Sequence, residues 1–333
     1  MAIVISRSSG LNDDLWKPVG QIINAVMQDT DSEKTQYDSL VSQLAVEKKS
    51  KKYAEKQTGI TSTGSFDIVA EGGKAPLDDI EEAFPKLIIH STFKKNIAMT
   101  REMLDDGDLD GMKVMAKNLV MSFKRTRAEL ITAALCSEGS SITYGGQNLD
   151  RTTGDGKALF ATDHLGKKDG VATQSNVFTN AFGATNAMLV RLANIGRNYK
   201  NDSGVVTGFA FDTIVIPGNC PALEETVTKI IRSDLIVGSA NNDVNTQKGK
   251  WKLVVDPLWQ AAAGASPYIL MSSEAMKAYN GTLFYDRTAL DVKSEVELSS
   301  RNLMYNGFGR CSAGFGNWRH LIMGGATTGT TLT

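Results

Sequence analysis

Histidine, cysteine and charge of one sign are all scarce in this chain. The three histidines, His90, His164 and His320, are spread over 333 residues, and none has the paired spacing of a metal site. Neither H-E-x-x-H nor G-x-S-x-G occurs, which excludes the familiar metalloprotease and serine-hydrolase arrangements. Asp163 and His164 adjoin in sequence, which makes no dyad; a loop histidine is more commonly a hydrogen-bonding residue. The three cysteines, Cys136, Cys220 and Cys311, lie far apart without C-x-x-C and read as reduced, mostly buried thiols, as suits a cytoplasmic protein. No window approaches the roughly 20 apolar residues of a membrane helix, and the apolar run before Arg7 is too short for a signal peptide. A soluble, intracellular chain is expected. With 36 basic against 37 acidic residues, the balance argues against a dedicated nucleic-acid binder and leaves little self-repulsion to oppose dense self-association.

What is present is ample apolar material, 41% of the residues although only 7% are aromatic. That suffices for a sizeable core, in two domains or one elaborate domain with insertions. Glycine is prominent near the end, in GFGRCSAGFG from Gly307 to Gly316. Gly309 and Gly314 have the outer spacing of a phosphate loop, but Phe315 comes next and no lysine follows. Ser312 occupies the place of the third glycine in a dinucleotide fingerprint. Glycine beside aromatics in an extended segment instead marks a close backbone approach.

A second lure is DGDLDG. Asp106, Asp108, Asp110 and Gly111 match the first half of a calcium loop, but Lys117 falls where a bidentate glutamate is required and Val114 at position nine. A strand is expected before it. The alternative is an acidic cap, with Asp106 and Asp108 complementing the start of a helix. No cofactor, metal or catalytic residue is expected, and the chain does not read as an enzyme.

Trp16, Val19, Ile22, Ile23 and Val26 predict an amphipathic helix with one sticky face, which Asp13 and Asp14 can cap. Leu40, Val41 and Leu44 are the next apolar cluster, followed by Lys48, Lys49, Lys51, Lys52 and Lys56. Such a run is ordinarily a solvated face; the functional reading is a basic arm lying on an acidic neighbour or on packaged nucleic acid. Alternation at Phe66, Ile68 and Ala70, and again from Leu87 to Lys95, predicts a long hairpin. Its broad tip carries Lys74, Asp78, Asp79, Glu81 and Glu82. A helix over 108–136 is the strongest signal, a spine on the order of 40 Å long. Glycine-rich loops, a helix near 184–200, a buried strand in FAFDTIVIPGN and a helix from Pro221 to Ile231 follow. Strands in WKLVVDPLW and PYILMSS and a glycine-broken β segment complete an α+β order.

This order of parts resembles a tailed-phage major capsid protein of the Hong Kong 97 fold, and most closely the phage Mu-like major head subunit family. The residues that carry it are Gly156, Lys157, Ala158, Leu159, Phe160 and His164, then Val255, Asp256 and Pro257, then Phe315, Gly316 and Trp318. The resemblance implies an N-terminal arm (1–50), an extended loop (51–100) and a peripheral domain (101–183, with spine helix 108–136, and 284–333). An axial domain (184–283) completes the division. It implies a shell of pentamers and hexamers around double-stranded DNA, assembled in the bacterial host cytoplasm. The implied partners are a separate scaffolding protein, a portal, decoration proteins and non-specifically contacted DNA. Subunit contacts are expected at Lys48, Lys49, Lys51, Lys52, Lys74, Asp78, Asp79, Glu81 and Glu82, and a structural core at Phe123, Gly314, Phe315 and Trp318. No motif identifies a cross-linking partner for Lys74. An encapsulin-like compartment shares the fold and stays open, as does, with less support, a hydrolase.

Overall fold

The computed structural model describes residues 4–5, 16–59, 61, 66, 68–75, 77, 81–168, 170–183, 185–236, 243–297 and 299–332. Along the chain come β1 (Val4–Ile5), α1 (Lys17–Ser32), α2 (Gln36–Leu44), β2 (Val46–Lys49), β3 (Ala54–Gln57), β4 (Lys86–Ile89) and β5 (Ser91–Met99). Then follow α3 (Arg101–Asp105), α4 (Leu109–Leu135), β6 (Ser141–Tyr144), β7 (Gln147–Asp150), α5 (Ala187–Arg197), β8 (Thr213–Pro217) and α6 (Pro221–Arg232). The last are β9 (Lys252–Asp256), β10 (Tyr268–Met271), α7 (Ser273–Ala278), β11 (Thr282–Val296), β12 (Leu303–Phe315) and β13 (Leu321–Gly324). The chain divides into two compact units, one of 1–55, 88–131 and 284–313, the other of 56–87, 132–283 and 314–333.

In the first unit the strand order is β1-β11-β12-β5, with β2 also on β11. β12 alternates strictly between buried and half-buried residues over its first nine positions. Leu303 and Tyr305 join Met112, Ala116, Leu119 and Val120 of α4 and Leu290 and Val292 of β11 in one core. Gly309 accounts for glycine in this strand: a Cβ there would lie 2.4 Å from the Phe123 ring. The strand is continuous through these glycines, contrary to the broken segment expected, because its antiparallel ladder with β5 runs unbroken from Leu303↔Met99 to Cys311↔Ser91. Phe308 falls on the other face, half-buried, with Lys94 Nζ 5.9 Å from its ring centre.

The sticky face of α1 finds its partner within the chain. Trp16, Ile23 and Met27 are fully buried in the same core, while Ile22 points outward. The expected caps Asp13 and Asp14 lie outside the described residues, and Trp16 takes the N-cap position. Lys48 and Lys49, expected on an arm, belong to β2. The spine is the helix α4, one residue shorter at each end than expected. A short helix, α3, precedes it where a strand was expected; Asp106 caps the end of α3, and Asp108 alone accepts from the Gly111 N–H at the start of α4 (2.9 Å).

The second unit has a sheet ordered β13-β10-β8-β9, with every residue of β8, β10 and β13 buried. β8 and β9 are parallel and linked through α6, as a parallel pair requires a long crossover. Leu189 and Leu192 of α5, Val227 and Ile230 of α6, Ile214, Tyr268 and Trp318 share its core. Gly145 and Gly146, both at positive φ, close the β6–β7 hairpin, a turn chemistry the loop-rich reading of this segment passed over.

Candidate assembly interface

The hairpin expected over 66–95 pairs elsewhere. Its ladder is β3 with β4, and the described residues around Phe66 and Ile68 form no strand. Their side chains meet nothing to pair with, each being fully exposed. Leu77 is also fully exposed, and Tyr53, Leu87 and Ile89 are more than half exposed. The base of this stretch is nevertheless fastened. Thr61 N–H donates to the Glu81 carbonyl (2.9 Å), Glu81 N–H to Thr61 Oγ1 (2.9 Å), and Ala83 N–H to the Gly59 carbonyl (2.9 Å). Lys56 Nζ lies 3.5 Å from Glu82. The described part of this stretch is thus held at its base and carries uncovered apolar side chains.

Lys49, Lys51, Lys52, Lys74, Glu81 and Glu82 are exposed and Lys48 half-buried; Asp78 and Asp79 lie outside the described residues. Lys52 lies 3.9 Å from Glu55, so two of the basic side chains here, Lys52 and Lys56, are already engaged within the chain.

Residues 17–44 are held by two cations of α4. Lys124, almost wholly buried, donates to the Thr30, Asp31 and Glu33 carbonyls at the end of α1 (3.2, 2.9 and 2.6 Å). It also lies 3.3 Å from Asp38. Arg127 reaches Asp38 (3.3 Å), Glu47 (3.0 Å) and Asp286 (2.7 Å), tying α2, β2 and β11 to the spine. Burial works against the Asp38 carboxylate, but its bonds from Thr35 and the charge of Lys124 hold it below its ordinary range. Burial likewise opposes the Arg127 charge, and Asp286 and Glu47 more than restore it.

In the second unit Trp318 is buried, stacked on His164 (ring centres 4.3 Å, planes 10° apart) and edge-on to Tyr199. His164 lies between Asp155 (2.8 Å) and Asn176 (3.2 Å), a hydrogen-bonding histidine as its loop setting suggests. Phe315 is fully buried, Gly314 buried and Phe123 half-buried against the first unit's core. Two further buried groups are Arg151, which the sequence did not single out, and Asp256 of the Val255–Pro257 motif. Arg151 donates to the Ala134 (2.6 Å), Gly139 (2.5 Å) and Ser137 carbonyls at the end of the spine. Burial pulls its pKa down to about 10, so it stays charged. Asp256 accepts from Thr132 (2.6 Å), and burial raises it. Among the described residues no group of three or more metal-ligating side chains is gathered. These fastened polar nodes hold structure.

The family model described as phage capsid protein matches residues 85–323. In structure the chain is similar to the capsid of an empty GTA particle, at 12% identity, covering 88% of this chain and 91% of that one, with a TM-score of 0.53. It is similar to a chain of Mycobacterium phage Patience at 14% identity, covering 97% and 90%, with a TM-score of 0.52. A chain of Gordonia phage Cozz gives 7% identity, 89% and 87% coverage and a TM-score of 0.53. At such identities the likeness is one of fold. No curated protein matches the sequence.

Proposed function

Because this chain belongs to the phage capsid protein family and has the Hong Kong 97-type fold, we propose that residues 51–100 are the loop by which each subunit engages its neighbour. The protein is a major capsid subunit, and its copies build the icosahedral shell of the virion head around the phage DNA. Its role is structural.

The observation that carries the loop assignment is the uncovered apolar surface of Phe66, Ile68 and Leu77 on a stretch fastened at its base. Burying such side chains between subunits contributes about 1.5–3 kcal/mol for each one fully covered. The apolar face of α1, by contrast, is spent within the subunit. Around this loop we place the arm at 1–50, the peripheral domain at 101–183 and 284–333, and the axial domain at 184–283. Lys48, Lys49, Lys51, Lys52, Lys74, Asp78, Asp79, Glu81 and Glu82 supply the charged contacts between subunits. The further partners are a separate scaffolding protein, a portal, decoration proteins and non-specifically held DNA, with assembly in the host cytoplasm.

Electron microscopy and sedimentation of purified protein with scaffold supplied test this reading. Closed shells are expected, and Phe66→Ser with Leu77→Ser should raise the concentration they require while leaving the subunit folded. Normal shells from that variant would remove the loop from the contact.

A further inference from the structure

The first unit's sheet has one face on α4 and one turned away. Glu47 and Asp286 both reach Arg127 of α4, so by the two-residue alternation of strands Lys48 and Arg287 point to the opposite face. The half-buried positions of β12 lie there too, among them Phe308 and Arg310, with Lys94 paired across from Phe308. Arg287 and Arg310 are half-buried, and Arg287 Nη1 and Arg310 Nε are shut from water without a hydrogen-bond partner. Among the described residues no ion pair reaches either guanidinium. Asp291 shares the face, yet its Oδ1 is equally unpartnered.

His90 sits on this face between Ser312 Oγ (2.9 Å) and Ser50 Oγ (3.0 Å). Burial, then the charge of Arg287, and less strongly that of Arg310, hold its pKa below the ordinary imidazole range, with Glu55 opposing. Ser312 lies two positions along β12 from Arg310 on the same face, and Ser50 N–H donates to the carbonyl of Asp286, the residue before Arg287 (3.0 Å), so both arginines stand near His90. A guanidinium presents a planar fork that matches a carboxylate with two parallel bonds, and among the described residues no carboxylate pairs with either of these two.

The same chain carries carboxylates on the proposed loop. Glu81 is exposed and joins no ion pair among the described residues, and it belongs to the acid run Asp78, Asp79, Glu81, Glu82. Glu82 is engaged by Lys56. We infer that Arg287 and Arg310 form a carboxylate seat, filled in the shell by the acid run of a second copy through Glu81 and its sequence neighbours. Each copy then offers one run and one seat, a head-to-tail contact that closes into rings. The inference rests on the shell-forming loop proposed above and names where its acids land.

Arg287→Glu with Arg310→Glu should raise the concentration for half-assembly at least about tenfold, while circular dichroism and melting of the unassembled subunit stay unchanged. Adding Asp78→Lys, Asp79→Lys and Glu81→Lys to that variant should restore assembly. Should the reversed variant misfold, Glu81→Cys with Arg310→Cys decides instead, by forming intersubunit disulfides in shells upon oxidation. Wild-type protein that makes no shells would sink the loop reading itself. Wild-type shells with undiminished assembly of the arginine variant, or no disulfide between the paired cysteines, would overturn the seat alone. Normal shells that retain less DNA would also overturn it, assigning the arginines to phosphate.

Discussion

At the residue scale, close packing sets the tolerances. The Phe123 ring occupies the place of a side chain on Gly309, so Gly309→Ala should destabilise the subunit by about 1–3 kcal/mol through overpacking. Gly309→Ala with Phe123→Leu should recover part of that loss, because residues in contact are non-additive. Denaturant melting of the unassembled subunit measures both; additive losses would show that ring and strand do not touch. Trp318→Ala should cost more, about 3–5 kcal/mol, since it empties the stack between His164 and Tyr199. That glycine and aromatics build architecture here was legible in the missing lysine and missing third glycine of the motif. That Phe123 stays half-buried was not: helical spacing places a residue on a face and does not say how far the facing strand reaches. The outward turn of Phe308 was hidden for the matching reason, since only the strand register reveals which aromatics share a face with the spine.

At the element scale, buried cations end helices. Arg151 fastens the carbonyls that close α4, and Lys124 those that close α1, where the free carbonyls and the helix dipole both favour positive charge. Nothing local in the sequence marks them, because Lys124 acts on carbonyls 91 to 94 residues away. Four helices, α1, α4, α5 and α6, were legible in the sequence, whereas α2, α3 and α7 and the β3–β4 ladder were not. Alternation at Phe66–Ala70 forms no strand among the described residues, and a strand exists only where a partner is available. Arg151→Leu leaves buried carbonyls unsatisfied, at about 1–3 kcal/mol apiece, and should shift melting far more than an exposed substitution such as Lys51→Leu. Asp38 provides a pH signature. Its pKa in the fold lies below the reference of 3.8, so the unfolded chain binds the proton first. Its contribution is intact above the unfolded value and is lost as pH falls through the folded one. Asp38→Asn should therefore be less stable at neutral pH and show a shallower loss of stability below about pH 4. An unchanged acid slope would mean that neither the bonds from Thr35 nor the charge of Lys124 holds Asp38 ionised in solution.

At the scale of the whole molecule, two forces of opposite salt dependence are available for assembly. The net charge is only −1, so general repulsion between subunits is slight and particular contacts decide the outcome. Uncovered Phe66, Ile68 and Leu77 draw subunits together by burial, which strongly excluded salts such as sulfate reinforce. The pairing of acid run with arginine seat is instead weakened by screening, whose range shrinks from about 10 Å at 0.1 M to about 3 Å at 1 M salt. Light scattering across sodium chloride should therefore show wild-type assembly needing more protein as salt rises. Ammonium sulfate at equal ionic strength should offset that rise, since screening is matched and only apolar burial gains. The two substituted surfaces should then separate. Subunits with Arg287→Gln and Arg310→Gln should lose most of the chloride dependence and keep the sulfate response, whereas Phe66→Ser with Leu77→Ser should do the reverse. One exposed ion pair contributes only about 0–1 kcal/mol, but a shell repeats it at every subunit, so a small change per contact moves the threshold sharply. Chloride-independent assembly of the wild type would mean that apolar burial carries the shell alone.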